Sequence, residues 1–156
     1  MANYYSDHPE IAFHLNHPLM ERIVELKEKG YEDKEKFEDI VAWQKAHQFV
    51  VMVYRSTKSF PDFEKFGLCS QFQRAAVSIA ANIAEGYKKL SKADKLRFYN
   101  IAQGSLEECR YYCILAKDLG YIDESTFQQL VQAILETSYL LNSYVKGVVN
   151  DSGIRD

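Results

Sequence analysis

Proline is missing from the last 95 residues of this 156-residue chain: the only three are Pro9, Pro18 and Pro61. That absence removes the commonest reason for a helix to stop or kink. Long hydrophobic runs are missing too. The longest obvious one, Phe49 to Tyr54, is six residues, against the roughly 18 that a membrane-spanning helix needs. The opening residues MANYYSDHPE lack both a basic stretch and an apolar core, so no secretory leader is expected. Three cysteines are an odd and small number, which fits reduced thiols in a cytoplasmic protein better than a disulfide framework. Net charge is scarce as well: 19 basic residues stand against 22 acidic ones, which excludes a broadly basic nucleic-acid binder. The imbalance is local. Residues 1–36 hold five Lys/Arg and eight Asp/Glu, while residues 37–156 hold fourteen of each. Neither an alternating strand pattern nor an Asn-Gly or Asp-Gly turn is present, so nothing signals a sheet.

What is there is helical periodicity. The apolar share of 47% and charged share of 26% suit one globular domain. A first helix is expected over about Glu38–Ser59, ended by Pro61. Its spacing places Ile40, Trp43, His47, Val50, Tyr54 and Thr57 on one face, with Ala42, Ala46, Phe49, Val53 and Phe60 as an adjoining apolar strip. The second is expected over Leu68–Glu85, with Leu68, Phe72, Ala75, Ala76, Ile79 and Ile83 on its core face. Cys69, Val77, Ala80 and Ala84 extend the apolar arc beyond one stripe, which predicts an interface with another subunit. Gly86 is expected to close it as a left-handed C′ residue. Ser91, with Asp94 three residues on, is expected to cap the third helix, and Gly120 to end it. The third core face is expected to hold Phe98, Ala102, Ser105, Leu106, Cys109, Tyr112, Cys113, Ala116 and Leu119. Asp123 is expected to cap a fourth helix with the stripe Phe127, Leu130, Val131, Ile134, Leu135, Ser138, Leu141, Val145 and Val148, frayed from Gly147 on.

Four long helices with short connections predict an all-α, up-down-up-down antiparallel four-helix bundle over residues 37–148, with a flexible tail at 149–156. Residues 1–36 form a separate N-terminal helical extension. In it Leu19, Ile23 and Leu26 outline a short amphipathic helix starting near Pro18, a candidate arm for a protein partner.

An ordered string of residues also carries a family likeness. It comprises Trp43-Gln-Lys-Ala46, Val53-Tyr54, Phe60-Pro61, Phe66-Gly67-Leu68, Gln71, Arg74-Ala75, Ser78-Ile79, Asn82-Ile83-Ala84-Glu85-Gly86, and Ala102-Gln-Gly-Ser-Leu106 with Glu108. It resembles the bacterial four-helix-bundle proteins first noticed as reading frames inside 23S ribosomal RNA intervening sequences. The resemblance covers residues 37–147. It implies a bundle that assembles into a homo-oligomer, typically a pentameric ring. The accessory protein of diversity-generating retroelements is similar in fold, and there the ring works with nucleic acid. The resemblance brings no catalytic residue, metal or cofactor. Where the family often has proline after the Ser-Ile pair, this chain has Ala80, so its second helix is expected to be straighter.

Two constellations qualify as candidate sites. Lys88, Lys89, Lys92, Lys95 and Arg97, opposed only by Asp94, form the densest positive run. Clustered cations are what phosphates require, and Tyr87 and Tyr99 flank the run as possible stacking partners for bases or, for Tyr99, as core-edge residues. The polar stripe Arg74, Asn82, Glu85 reads as an organiser of assembly. Arg74 and Glu85 would pair across helices or subunits, and Asn82 would bond a loop backbone. Tyr111 and Ile114, apolar groups on the polar side of the third helix, are expected at a subunit interface. Cys109 and Cys113 lie on the core stripe and are read as buried thiols. With His8, His14 and His17 irregularly spaced, no metal site is predicted. No GxSxG, HExxH or glycine-rich phosphate loop occurs. The expected function is therefore a non-enzymatic, homo-oligomeric scaffold associated with RNA or DNA and not with membranes. A protein-interaction module working through residues 1–36 is the alternative, and a nuclease-like enzyme a remote one.

Overall fold

The computed structural model describes residues 36–154. The expected amphipathic helix near Pro18 and the three N-terminal histidines lie outside them. Four helices make up the described part: α1 (Val41–Thr57), α2 (Leu68–Lys88), α3 (Lys92–Asp118) and α4 (Glu124–Asn150). Each packs against the two that flank it in order, α1 on α2, α2 on α3, α3 on α4 and α4 back on α1. That closed sequence is the up-down-up-down bundle. The register is visible in cross-helix hydrogen bonds. Ser105 Oγ donates to Ser78 Oγ (3.0 Å), and Tyr112 Oη reaches Gln71 Oε1 (3.0 Å). Seven residues back along α2 correspond to seven forward along α3, so the two run antiparallel.

Local signals set the helix ends. Ser91 caps α3 by accepting from Asp94 N–H (3.1 Å). At the other end Gly120 takes φ +74°, while Tyr121 N–H returns to Ala116 O (2.8 Å) and Gly120 N–H to Lys117 O (2.9 Å). These are the two bonds of a Schellman stop. Asp123 caps α4 through Thr126 N–H (2.7 Å). At the start of α2 the cap comes from outside the helix: Glu64 Oε2 accepts from Leu68 N–H (2.8 Å), and Glu64 Oε1 accepts from Tyr121 Oη (3.1 Å). One carboxylate thereby ties the α1–α2 connection to the α3–α4 turn.

The acids at the start of α4 predict a pH dependence. Hydrogen bonds from Thr126 hold the Asp123 carboxyl below its ordinary range, and Lys117 with Gln128 does the same for Glu124. A group with a depressed folded pKa contributes stability that is complete above its unfolded value and fades as pH falls through the folded one. Asp123→Asn keeps an accepting oxygen but removes the charge. Its acid unfolding curve, followed by circular dichroism from pH 6 to 2, is expected to be shallower than that of the parent.

The core draws on all four helices. Phe49, Val53, Phe72, Ile79, Ile83, Leu106, Leu130, Ile134 and Leu141 are wholly or almost wholly buried, and a large apolar side chain contributes about 1.5–3 kcal/mol when removed from water. The faces expected for α2 and most of α3 are the ones buried. Four expectations need correction. In α1 the adjoining strip Ala42, Ala46, Phe49 and Val53 is buried together with Ile40, Trp43 and Thr57 of the first face, while Tyr54 of that face is exposed and His47 only half-buried, stacked on Trp43 at 5.2 Å. Of the expected stripes of α3 and α4, Leu119 and Leu135 are about half exposed, whereas Tyr99 and Thr137, outside those stripes, are buried. The fourth helix does not fray at Gly147 but continues to Asn150, because Val148 is buried against the bundle.

The fourth correction concerns α2. Gly86 does not end it in a left-handed turn; the helix runs on to Lys88 with Gly86 buried inside it. A Cβ placed there would stand 2.5 Å from Tyr99 Cε1 and 3.1 Å from Phe98 Cβ. The glycine is a point of close approach between α2 and α3. The same packing uses most of the alanine-rich arc. Ala75, Ala76 and Ala80 are buried by the bundle itself, leaving Val77 and Ala81 exposed. The arc is wide because α2 packs on two neighbours, α1 and α3, and its width is accounted for without a second subunit.

Candidate functional site

The small residues that let α2 approach α3 also bring their polar neighbours into one seam. Gln71, Arg74, Ala75 and Ser78 from α2 and Glu108 and Tyr112 from α3 line an open cleft of about 320 Å³. The ring of Tyr112 and the methyl of Ala75, both buried, form its apolar side. The Tyr112 hydroxyl donates to Glu108 Oε1 (2.7 Å), with Gln71 Oε1 also in reach. Burial, then the carboxylate it bonds, pushes the phenol up to about 12, so it stays a donor at physiological pH. Below them Ser105 donates to Ser78 Oγ, and Asn82 Nδ2 donates to Ser78 O (2.7 Å) and Ser78 Oγ (3.0 Å). Asn82 thus bonds its own helix and not a loop. Arg74 and Glu85 are exposed on α2, and neither makes an ion pair among the described residues. The expected stripe is present, but its polar partners are on α3, in Ser105, Glu108 and Tyr112. Sequence periodicity had assigned Ser105 and Tyr112 to the core, and their role appears only once the α2–α3 register is known.

The cations gather at the opposite kind of feature, the three-residue turn from α2 to α3. They differ in what they do. Lys95 Nζ donates to Tyr87 O (2.6 Å) and lies 3.5 Å from Gly86 O. It satisfies carbonyls at the C-terminal end of α2, the position where a cation suits the helix dipole. Burial lowers its pKa. Lys88 lies over the Tyr87 ring, at 5.3 Å, with Lys95 at 5.7 Å. Lys89 and Arg97 share the Phe98 ring, at 4.6 and 5.2 Å. Arg97 also faces Asp94 at 3.9 Å. Lys92 opens α3. Tyr99, a candidate for base stacking, is only 1% exposed. Its ring meets Tyr144 edge-on at 5.5 Å, and among the described residues its buried hydroxyl has no hydrogen-bond partner.

Tyr111 and Ile114 are exposed on α3 as expected. Among the described residues no group of His, Cys, Asp and Glu is placed to hold a metal ion, and no helix is long and apolar enough to cross a membrane. Cys109 and Cys113 are wholly buried. Burial pushes both thiols up, Cys113 to about 12 and Cys109 further, with Cys113 and Glu108 adding to the latter. Cys69 is only half-buried and donates to Thr57 O (3.5 Å). Burial and then the Glu64 carboxylate raise the Cys69 thiol as well, but only Cys69 is open to solvent, so a thiol reagent at neutral pH is expected to modify it alone, and slowly, in the folded protein. All three should react in denaturant, a difference that mass spectrometry of the labelled chain reads directly.

Comparison with known proteins adds the family. The 23S rRNA-intervening sequence protein pattern matches residues 38–143. Among solved structures, the chain is similar to a protein of unknown function from the S23 ribosomal protein family of Bacteroides thetaiotaomicron. The two are 28% identical with a TM-score of 0.63, covering 70% of this chain and 98% of that one. Comparison with curated proteins finds none that matches. The match spans all of α1–α3 and most of α4, including both the polar seam and the cationic turn: the chain belongs to the 23S rRNA-intervening sequence protein family.

Proposed function

We propose that the chain is a cytoplasmic scaffold without catalytic activity, which assembles with copies of itself and associates with RNA or DNA. A ring of five is the assembly its resemblance suggests. The observation that carries the reading is the cation cluster at the α2–α3 turn: Lys88, Lys89, Lys92 and Arg97 surround a three-residue connection, with Asp94 the one acid within the run. Repeating that turn around a ring would multiply a weak phosphate contact into a useful one. Self-association is supported by apolar side chains left in water, Tyr111 and Ile114 on α3 and Leu135 and Tyr139 on α4, since such groups together mark interaction surfaces. The reading of no catalysis is supported by how the seam spends its hydroxyls. Ser105 donates to Ser78 Oγ, Asn82 Nδ2 donates to the same oxygen, and the Glu108 carboxylate accepts from the Tyr112 hydroxyl and not from either serine.

Light scattering and gel-shift assays test the proposal together. The expected results are a mass of several chains and retarded RNA or DNA at low salt. Retardation should be lost at moderate salt and on replacing Lys88, Lys89 and Lys92 with alanine. A chain that stays single at every concentration and retards neither nucleic acid at low salt refutes it.

A further inference from the structure

We infer that the cleft between α2 and α3 binds a small zwitterion, a free α-amino acid, with its carboxylate on Arg74 and its ammonium on Glu108. Neither nucleic-acid association nor self-assembly is required for it.

The two walls of the cleft differ in what they offer. Gln71, Arg74 and Ser78 stand on the α2 wall at spacings of three and four residues, and so share one face of that helix. Arg74 makes no hydrogen bond or ion pair among the described residues. Ser78 Oγ accepts from Ser105 Oγ and Asn82 Nδ2, both at 3.0 Å, which leaves its own hydrogen to donate. Gln71 Oε1 lies 3.0 Å from Tyr112 Oη, which leaves its amide N–H groups for the cleft. The α2 wall is therefore a row of donors, one of them a full positive charge. The α3 wall supplies the acceptor. Glu108 is exposed, and its Oε1 accepts from Tyr112 Oη at 2.7 Å. That bond, to the residue four further along, holds the carboxylate to its own helix and leaves Oε2 unbonded among the described residues.

The two charges line one cleft and do not meet. Elsewhere neighbouring opposite charges do pair: Lys45 with Glu136 at 3.0 Å, Arg110 with Glu107 at 3.6 Å, and Lys117 with Glu124. Arg74 and Glu108 form no such pair, because Tyr112 holds one of them back. An anion alone would be repelled by Glu108, and a cation alone by Arg74. A molecule carrying both charges meets neither penalty. Its carboxylate can take two parallel bonds from the guanidinium, and its ammonium can donate to Glu108. Size agrees with charge. A cleft of about 320 Å³ lies at the small end of ligand sites. Tyr112 is only 8% exposed, too little ring for the stacking that a nucleobase requires. With Ala75 it supplies apolar contact for a small side chain.

Isothermal titration calorimetry on the full chain provides the test, with the protein amino acids added one at a time. At least one is expected to bind with a Kd near or below millimolar. Its α-amide, which lacks the carboxylate, and its N-acetyl derivative, which lacks the ammonium, should each bind at least about tenfold more weakly. Arg74→Gln and Glu108→Gln should weaken the amino acid by a similar factor. Glutamine at 108 still accepts from Tyr112, and both positions are exposed, so circular dichroism and the unfolding temperature should stay close to those of the parent. The losses should also be paired. Arg74→Gln no longer distinguishes the amino acid from its amide, and Glu108→Gln no longer distinguishes it from its N-acetyl derivative. Three results overturn the inference: no binding of any amino acid at about 10 mM, a derivative that binds as tightly as the zwitterion, or binding that survives both substitutions.

Discussion

Gly86→Val is expected to cost about 3 kcal/mol or more of folding stability, visible as a fall of roughly 10 °C in the unfolding midpoint. An added Cβ at this position stands 2.5 Å from Tyr99 Cε1, 3.0 Å from Tyr99 Cδ1 and 3.1 Å from Phe98 Cβ. Tyr99 has nowhere to go. It is 1% exposed and packed edge-on against Tyr144. Overfilling a packed interior costs about 1–3 kcal/mol for small increments, and valine adds two further methyl groups. Alanine at the same position separates two opposed effects, since it gains about 1 kcal/mol of helix propensity over glycine but meets the same ring. Its net cost is expected to be about 1–2 kcal/mol. Gly104→Ala supplies the contrast. That glycine is also inside a helix, α3, but a Cβ there meets nothing within 4 Å. The exchange should therefore stabilise by about 0.5–1 kcal/mol. Urea unfolding of the parent and the three variants measures all of this. If Gly86→Ala stabilises as much as Gly104→Ala, the close approach of α2 and α3 is wrong.

The same glycine marks where reading the chain without its fold runs out. Ser91, Asp123 and Gly120 were legible because a cap is settled by residues three or four positions away. Gly86 obeyed the same local rule and misled. A glycine after an apolar helical run looks alike whether it turns the chain or admits a neighbour, and only the aromatic ring opposite decides. The face of α1 misled for a related reason. Two adjacent strips were both apolar, and both reach the core: Ala42, Ala46, Phe49 and Val53 from one, Trp43 and Thr57 from the other, with Tyr54 of that second face left exposed. Along α2, Gln71, Arg74, Ser78 and Asn82 were readable as a stripe. That Gln71, Arg74 and Ser78 form a cleft with Glu108 and Tyr112 depends on the α2–α3 register, which no spacing within one helix encodes. In the sequence the cationic run is one dense group of five charges. Lys95 separates from the others only when the α2 terminus is seen to need a donor.

Replacing Tyr111 and Ile114 together by aspartate is expected to turn an assembled protein into single chains without unfolding it. The two positions are 57% and 43% exposed on α3. The Tyr111 ring lies 5.7 Å from that of the buried Tyr112. Exposed substitutions of this kind usually change stability by no more than about 0.5 kcal/mol, so the unfolding midpoint should move by only a few degrees. In an assembly the arithmetic reverses. Each apolar side chain that is fully buried between copies contributes about 1.5–3 kcal/mol, and the replacement removes two per interface. It also buries two carboxylates with no partner, which is costly in any water-excluded site. A ring closes through identical joints, so the loss is repeated at every one. Light scattering at matched concentrations should report several chains for the parent and one for the variant, with identical circular dichroism. Should the variant stay assembled, Tyr111 and Ile114 are not the joint. Leu135 and Tyr139 on α4, about half and three-quarters exposed, then become the pair to replace, because they lie four residues apart and so share one face of that helix.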